Sequence, residues 1–100
     1  FLICPAASIA PFESKTPFIT EIDGTPCKTY IDWFAITFAL TMTGCPVISL
    51  PCGFTDEGLP MGLQILAKPR HEDELLSFAA LLEEHFDVRD QLPIDPREAD

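Results

Sequence analysis

Basic residues are scarce in this 100-residue sequence: six lysines and arginines stand against sixteen acids, a formal charge of −10. A surface of that sign repels nucleic-acid phosphates unless a basic patch overrides it, and no stretch gathers one, so nucleic acid is not an expected partner. Histidine is nearly absent. His71 and His85 fall at opposite ends of one predicted helix, too far apart to share a metal ion, and no metal site is expected. Cys4, Cys27, Cys45 and Cys52 show no Cys-x-x-Cys spacing; without a secretory leader they read as reduced thiols of a cytoplasmic protein, not as a disulfide frame. Long apolar runs are missing too. Nothing approaches the roughly 18 residues that span a bilayer, which argues against a membrane partner. The five glycines are too dispersed to cradle a phosphate, and no cofactor is expected.

What is present suits one compact domain. A hydrophobic share of 47% with 22% charged residues excludes a solvated tail, and the length accommodates a single core. From His71 onward ten acids face two bases, a distribution that a solvated helix face and tail explain. At the other end Phe1-Leu2-Ile3-Cys4-Pro5 is strand-like, with no initiating Met and no signal-peptide pattern. It reads as a piece from within a longer protein. Such a strand would lie inside a larger sheet, and its open edge would need covering by another chain, so association through strand edges is expected, a homo-oligomer being one form of it.

Between Ala10 and Lys28, Pro11, Pro17, Gly24 and Pro26 exclude a long regular element, and Asp23-Gly24 suits the tight turn of a short ribbon over residues 20–25. Residues 29–43 hold neither Gly nor Pro and are apolar nearly all round, which predicts a buried helix. Thr37 and Thr41 share one face of it. They either line a cavity or bond back to helix carbonyls. Gly44 is the predicted stop, and Val47 to Cys52 a strand buried on both faces, with Pro51 marking an edge, a bulge or an exit from the sheet. A loop over residues 53–60 turns at Asp56-Glu57-Gly58.

Met61 to Ala67 alternates as a strand, with Met61, Leu63, Ile65 and Ala67 on one face. Gln64 lies on the other, either as a substrate ligand or as a sheet-to-loop tether, and Gly62 permits close backbone approach. After Pro69, Glu72, Asp73 and Glu74 suit the first turn of a helix whose apolar stripe is Leu75, Phe78, Ala79, Leu82 and Phe86. Leu92 to Pro96 reads as an extended closing segment. The composite expectation is an α/β fold: a small mixed sheet of about three strands with two main helices, in one domain over residues 1–100.

Chemistry-bearing patterns are sparse. Neither histidine is placed by sequence beside Cys45 or Cys52 to activate a thiol, and paired carboxylates occur only on the acidic helix and tail.

Three linked blocks carry a resemblance: Asp32-Trp33-Phe34-Ala35, then Thr43 through Phe54 (TGCPVISLPCGF), then Gly58 through Ile65 (GLPMGLQI). In this order they resemble the C-terminal end of the amidase signature family, and Phe1 to Pro5 is similar to a core strand before these blocks. Glu74-Leu75-Leu76, Glu83 and the stretch from Leu92 to Arg97 look like the last helix and tail of many members. The resemblance implies a serine hydrolase of small amides, built on a large mixed sheet wrapped in helices. Its catalytic groups are a lysine, a bridging serine in a cis peptide and a nucleophilic serine, all upstream in the family. Here Ser8, Ser14, Ser49 and Ser77 are never adjacent, and Lys15, Lys28 and Lys68 lie in no Gly/Ser-rich stretch. No catalytic residue is therefore assigned, and the chain alone is expected to be inert. The resemblance nominates Trp33, Phe34, Phe38 and Thr41 as substrate-pocket lining, against the plainer reading of the aromatics as core. Thr41 stands where many members have Asn. The spacing from Asp32 to Gly44 looks more like general amidases than like the transfer-RNA-dependent amidotransferase subunits of the family. The alternative function is a free-standing, non-catalytic module that oligomerises or binds a partner through its strand edges.

Overall fold

The computed structural model of the protein describes residues 1–88 and 90. Its strands are β1 (Leu2–Pro5), β2 (Glu21–Ile22), β3 (Thr25–Pro26), β4 (Val47–Phe54) and β5 (Pro60–Leu66), and its helices α1 (Ala35–Ala39) and α2 (Glu72–Phe86). Single 3₁₀ turns at Tyr30–Trp33 and Leu40–Thr43 flank α1. The principal sheet runs β1-β5-β4, and β2-β3 form a separate ribbon. An α/β architecture of three sheet strands and two helices is thus what forms, with antiparallel pairings in place of a mixture. For β4 and β5 the reason is the connection. Five residues can only reverse a chain, whereas a parallel pair needs a crossover of a dozen or more.

That reversal is the predicted turn. The Thr55 N–H donates to Leu59 O (2.8 Å), the Gly58 N–H donates to Thr55 O (2.9 Å), and Thr55 Oγ1 accepts from the Leu59 N–H (3.1 Å). In β4 the register slips between Pro51 and Gly53, the bulge that a proline without a ladder donor invites. Burial of β4 on both faces does not occur: Leu50 is its buried residue, because one face packs under α2 and the strand is the outer member of the sheet. The ribbon turns through Asp23 (φ 48°) and Gly24 (φ 80°), the positive pair that matches strand twist in a two-residue hairpin.

α2 follows its sequence closely. Leu75 and Ala79 are buried, and the core joins Leu75 to Leu50, Ile65 and Ala67, with Ile48, Phe78, Leu82 and Phe86 packed around it. Ile65, at 0% exposure, is its centre. Burying each large aliphatic chain contributes roughly 1.5–3 kcal/mol, so this face carries much of the stability.

Residues 29–43 depart from expectation. In place of one buried helix there is a 3₁₀ turn, five α-helical residues and a second 3₁₀ turn, with no buried residue in any of them. Aromatic and β-branched residues support a helix weakly. The Thr37 and Thr43 hydroxyls also donate to Phe34 O and Leu40 O, three residues back, where they compete with regular helix bonding. Gly44 (φ 74°) does stop the segment. The predicted extended segment from Leu92 to Pro96 lies outside the described residues. Among the described residues no helix is long and apolar enough to cross a membrane.

Candidate functional site

The apolar residues of the 30–43 segment turn outward as a connected aromatic wall. Phe34 is its hub, meeting Tyr30 at 5.2 Å between ring centroids, Trp33 at 5.4 Å and Phe38 at 5.8 Å, all edge to face. Two loop phenylalanines extend it: Phe12 meets Trp33 at 5.8 Å and Phe18 meets Tyr30 at 5.5 Å. Edge-to-face geometry aligns the positive ring rim with a neighbour's negative face, which makes the wall cohesive without full burial. Trp33 and Phe34 are half-buried, while Tyr30 and Phe38 are exposed. The Trp33 Nε1–H is buried and finds no acceptor among the described residues.

Of the four nominated pocket residues, the structure therefore joins Trp33, Phe34 and Phe38 in one ring network. Thr41 stands exposed in the second 3₁₀ turn, its carbonyl accepting the Gly44 N–H (3.3 Å). Sequence reasoning did not reach Phe12 and Phe18. Both sit in a proline-interrupted loop where no periodicity marks a shared face.

Polar groups fasten this wall. Asp32 closes a capping box: its Oδ2 accepts from the Lys28 N–H (2.9 Å) and the Thr29 N–H (3.2 Å), and its Oδ1 from the Thr29 hydroxyl (3.2 Å). Those donors hold its carboxyl below the ordinary value, the Lys28 backbone foremost. The Ser8 hydroxyl donates to Trp33 O. Gln64 Nε2 donates to Pro5 O (3.1 Å) and Ile36 O (2.8 Å), so the tether, not the ligand, is the role its amide takes here.

Four clefts lie around it: one among Phe1, Asp73, Ser77 and Phe78, one between Ala6, Pro11 and Met61, one among Phe12, Glu13, Thr16 and Leu59, and one beside Thr25, Lys28 and Asp32. None of the four nominated residues lines any of these four. Among the described residues no hydrogen bond or ion pair joins a serine to a lysine; the one close contact of a basic side chain with a carboxylate, His71 Nδ1 to Glu74 at 3.1 Å, sits at the start of α2. No group of three metal-ligating side chains forms among them either. The arrangement can pack against an apolar or aromatic group, and it shows no activated nucleophile.

The Amidase family model matches residues 1–76, and the chain belongs to that family. It is 39% identical over 85 residues to the A subunit of glutamyl-tRNA(Gln) amidotransferase from Thermodesulfovibrio yellowstonii, covering 84% of this chain and 16% of the relative. To the A subunit from Syntrophobacter fumaroxidans it is 44% identical over 66 residues (66% and 13%), and to that from Alkaliphilus metalliredigens 32% over 93 residues (92% and 18%). The chain thus spans 16% of the length of the first of these relatives. No solved structure matches it. The spacing from Asp32 to Gly44 does not separate this chain from the amidotransferase proteins, since they are among its clear relatives.

Proposed function

We propose that the chain is the C-terminal segment of an amidase-signature enzyme and supplies part of its substrate-pocket wall through Trp33, Phe34, Phe38 and Thr41. The bond-breaking groups belong to polypeptide other than these residues. The observation that carries the reading is the aromatic wall, centred on Trp33 and Phe34 of the Asp32–Ala35 block and lying within the matched span of the family. Exposed rings in contact are poor core and good lining. The substrate class is a small carboxamide; the relatives' role in amidotransferases supports chemistry at an amide nitrogen and association with partner subunits.

Trp33, the sole tryptophan, permits a direct test. Titrating the chain with benzamide gives saturable quenching of its fluorescence, and Phe38→Ala abolishes that response while the α2 circular dichroism persists. Quenching that is linear, or unaltered by Phe38→Ala, removes the reading. A fluorophosphonate probe leaves the chain unlabelled; stoichiometric labelling of a serine shows that it carries its own nucleophile.

A second reading, a module that self-associates or binds a partner through strand edges, is favoured by the exposed Leu2 and Ile3 on the outer strand β1 and Phe1 just before it. Sedimentation velocity on the chain separates the two, since a concentration-dependent dimer lost on Ile3→Lys supports the module.

A further inference from the structure

We infer that Gln64 is a positioning residue: one buried amide on β5 sets where the aromatic wall stands relative to the sheet. Its bearing on amide recognition rests on the pocket reading above; the positioning itself does not.

Gln64 is 7% exposed and is the buried polar residue of the described chain. Strand alternation turns it to the sheet face opposite Ile65, away from the α2 core. Its two amide protons leave in different directions, one to Pro5 O on β1 and the other to Ile36 O in α1. Both acceptors are prepared for it. The Ala6 N–H donates to Gly62 O (3.0 Å), and a Cβ on Gly62 would come within 3.4 Å of Ala6 Cβ, so the end of β1 is drawn tightly against β5 beside Gln64. On the other side, Ile36 O belongs to the last turn of the five-residue α1, where carbonyls run out of intrahelical donors. The end of α1 thus presents a carbonyl that Gln64 binds.

Apolar packing holds this segment only in part, since Trp33, Phe34 and Ile36 are half-buried and no residue from 30 to 43 is fully buried. A buried amide that loses its partners leaves two carbonyls unsatisfied as well, so the wall shifts sooner than the α2 core feels the loss.

The test uses the 100-residue chain with Gln64→Leu and Gln64→Glu, reading acrylamide quenching of Trp33 and hydrogen exchange over residues 33–43 and 72–86. In both variants the quenching constant rises about twofold and exchange over 33–43 quickens about tenfold, while exchange over 72–86 stays within about twofold of the parent. As pH is lowered Q64E becomes protonated and carries an O–H that can donate to Ile36 O, so its quenching returns toward the parent's, and Q64L shows no return. Unchanged Trp33 quenching in both variants overturns the proposal. So does equal loss of protection over 72–86, which would make Gln64 an ordinary core residue. A failed benzamide titration alongside the expected Gln64 response removes the pocket reading and leaves the positioning standing.

Discussion

The ring of Phe1 lies flat on the ring of Phe78, centroids 4.4 Å apart and planes 16° from parallel. It joins the residue before β1 to the middle of α2 and so braces the outer strand from a second direction. Phe78→Ala should destabilise the chain by about 2–4 kcal/mol, since the half-buried ring also packs on the core. Phe1→Ala should cost about 1 kcal/mol, its ring being mostly exposed. The double variant, followed by urea unfolding, should show a coupling of about 0.5–1.5 kcal/mol. Strict additivity would mean that the stack contributes nothing.

Ile65 and Leu76 make a sharper contrast. Ile65 is at 0% exposure, whereas Leu76, one residue after the buried Leu75, is 61% exposed. Ile65→Val should cost about 0.5–1.5 kcal/mol and Ile65→Ala about 2–5, as methyl groups leave a site that cannot fully collapse. Leu76→Ala should stay within about 0.5 kcal/mol. Thermal melts of the three variants rank them; a large loss at Leu76 would place the α2 stripe on another face.

Gly44 isolates a backbone effect. Its φ is 74° and nothing lies within 4 Å of where a Cβ would stand, so a side chain meets strain without a clash. Gly44→Ala should cost about 1–2 kcal/mol and Gly44→Asn less, because Asn tolerates the left-handed region. Equal melting temperatures for the two variants would show that the left-handed φ does not govern the site.

Where one signal dominates, the fold was legible in the residues. The three- and four-residue spacing of Leu75, Ala79 and Leu82 placed α2 and its buried face, and Asp23-Gly24 placed the hairpin, since positive φ is open to few residue types. Pro51 signalled an edge, a bulge or an exit, since a missing N–H has few outcomes, and the bulge is what forms. Residues 29–43 misled, because hydrophobicity all round predicts burial only when something covers the segment, and no periodicity reports the cover. The wall itself was half legible. Trp33, Phe34 and Phe38 were nominated through the family resemblance, whereas Phe12 and Phe18 join through loop geometry that no spacing encodes. Gln64 announced a need for partners, and only the fold could say that they are Pro5 and Ile36.

Asp32 supplies a pH handle at the foot of the wall. Its carboxylate accepts the Lys28 and Thr29 N–H groups and the Thr29 hydroxyl, donors that favour the charged form, and its pKa lies below the ordinary 3.8. The folded value is therefore depressed relative to the unfolded one. Its stabilisation is complete above the ordinary carboxylate range and is lost as pH falls through the lower folded value. Carbon-detected NMR should place the Asp32 side-chain midpoint below 3.8, with the Lys28 and Thr29 amide shifts titrating at the same midpoint. Thr29→Val should raise that midpoint only slightly, because the Lys28 N–H is the leading cause and the Thr29 N–H survives the change. Asp32→Asn should remove the transition from both amides while leaving α2 intact. A midpoint at or above 3.8 would show that the capping box is open in solution.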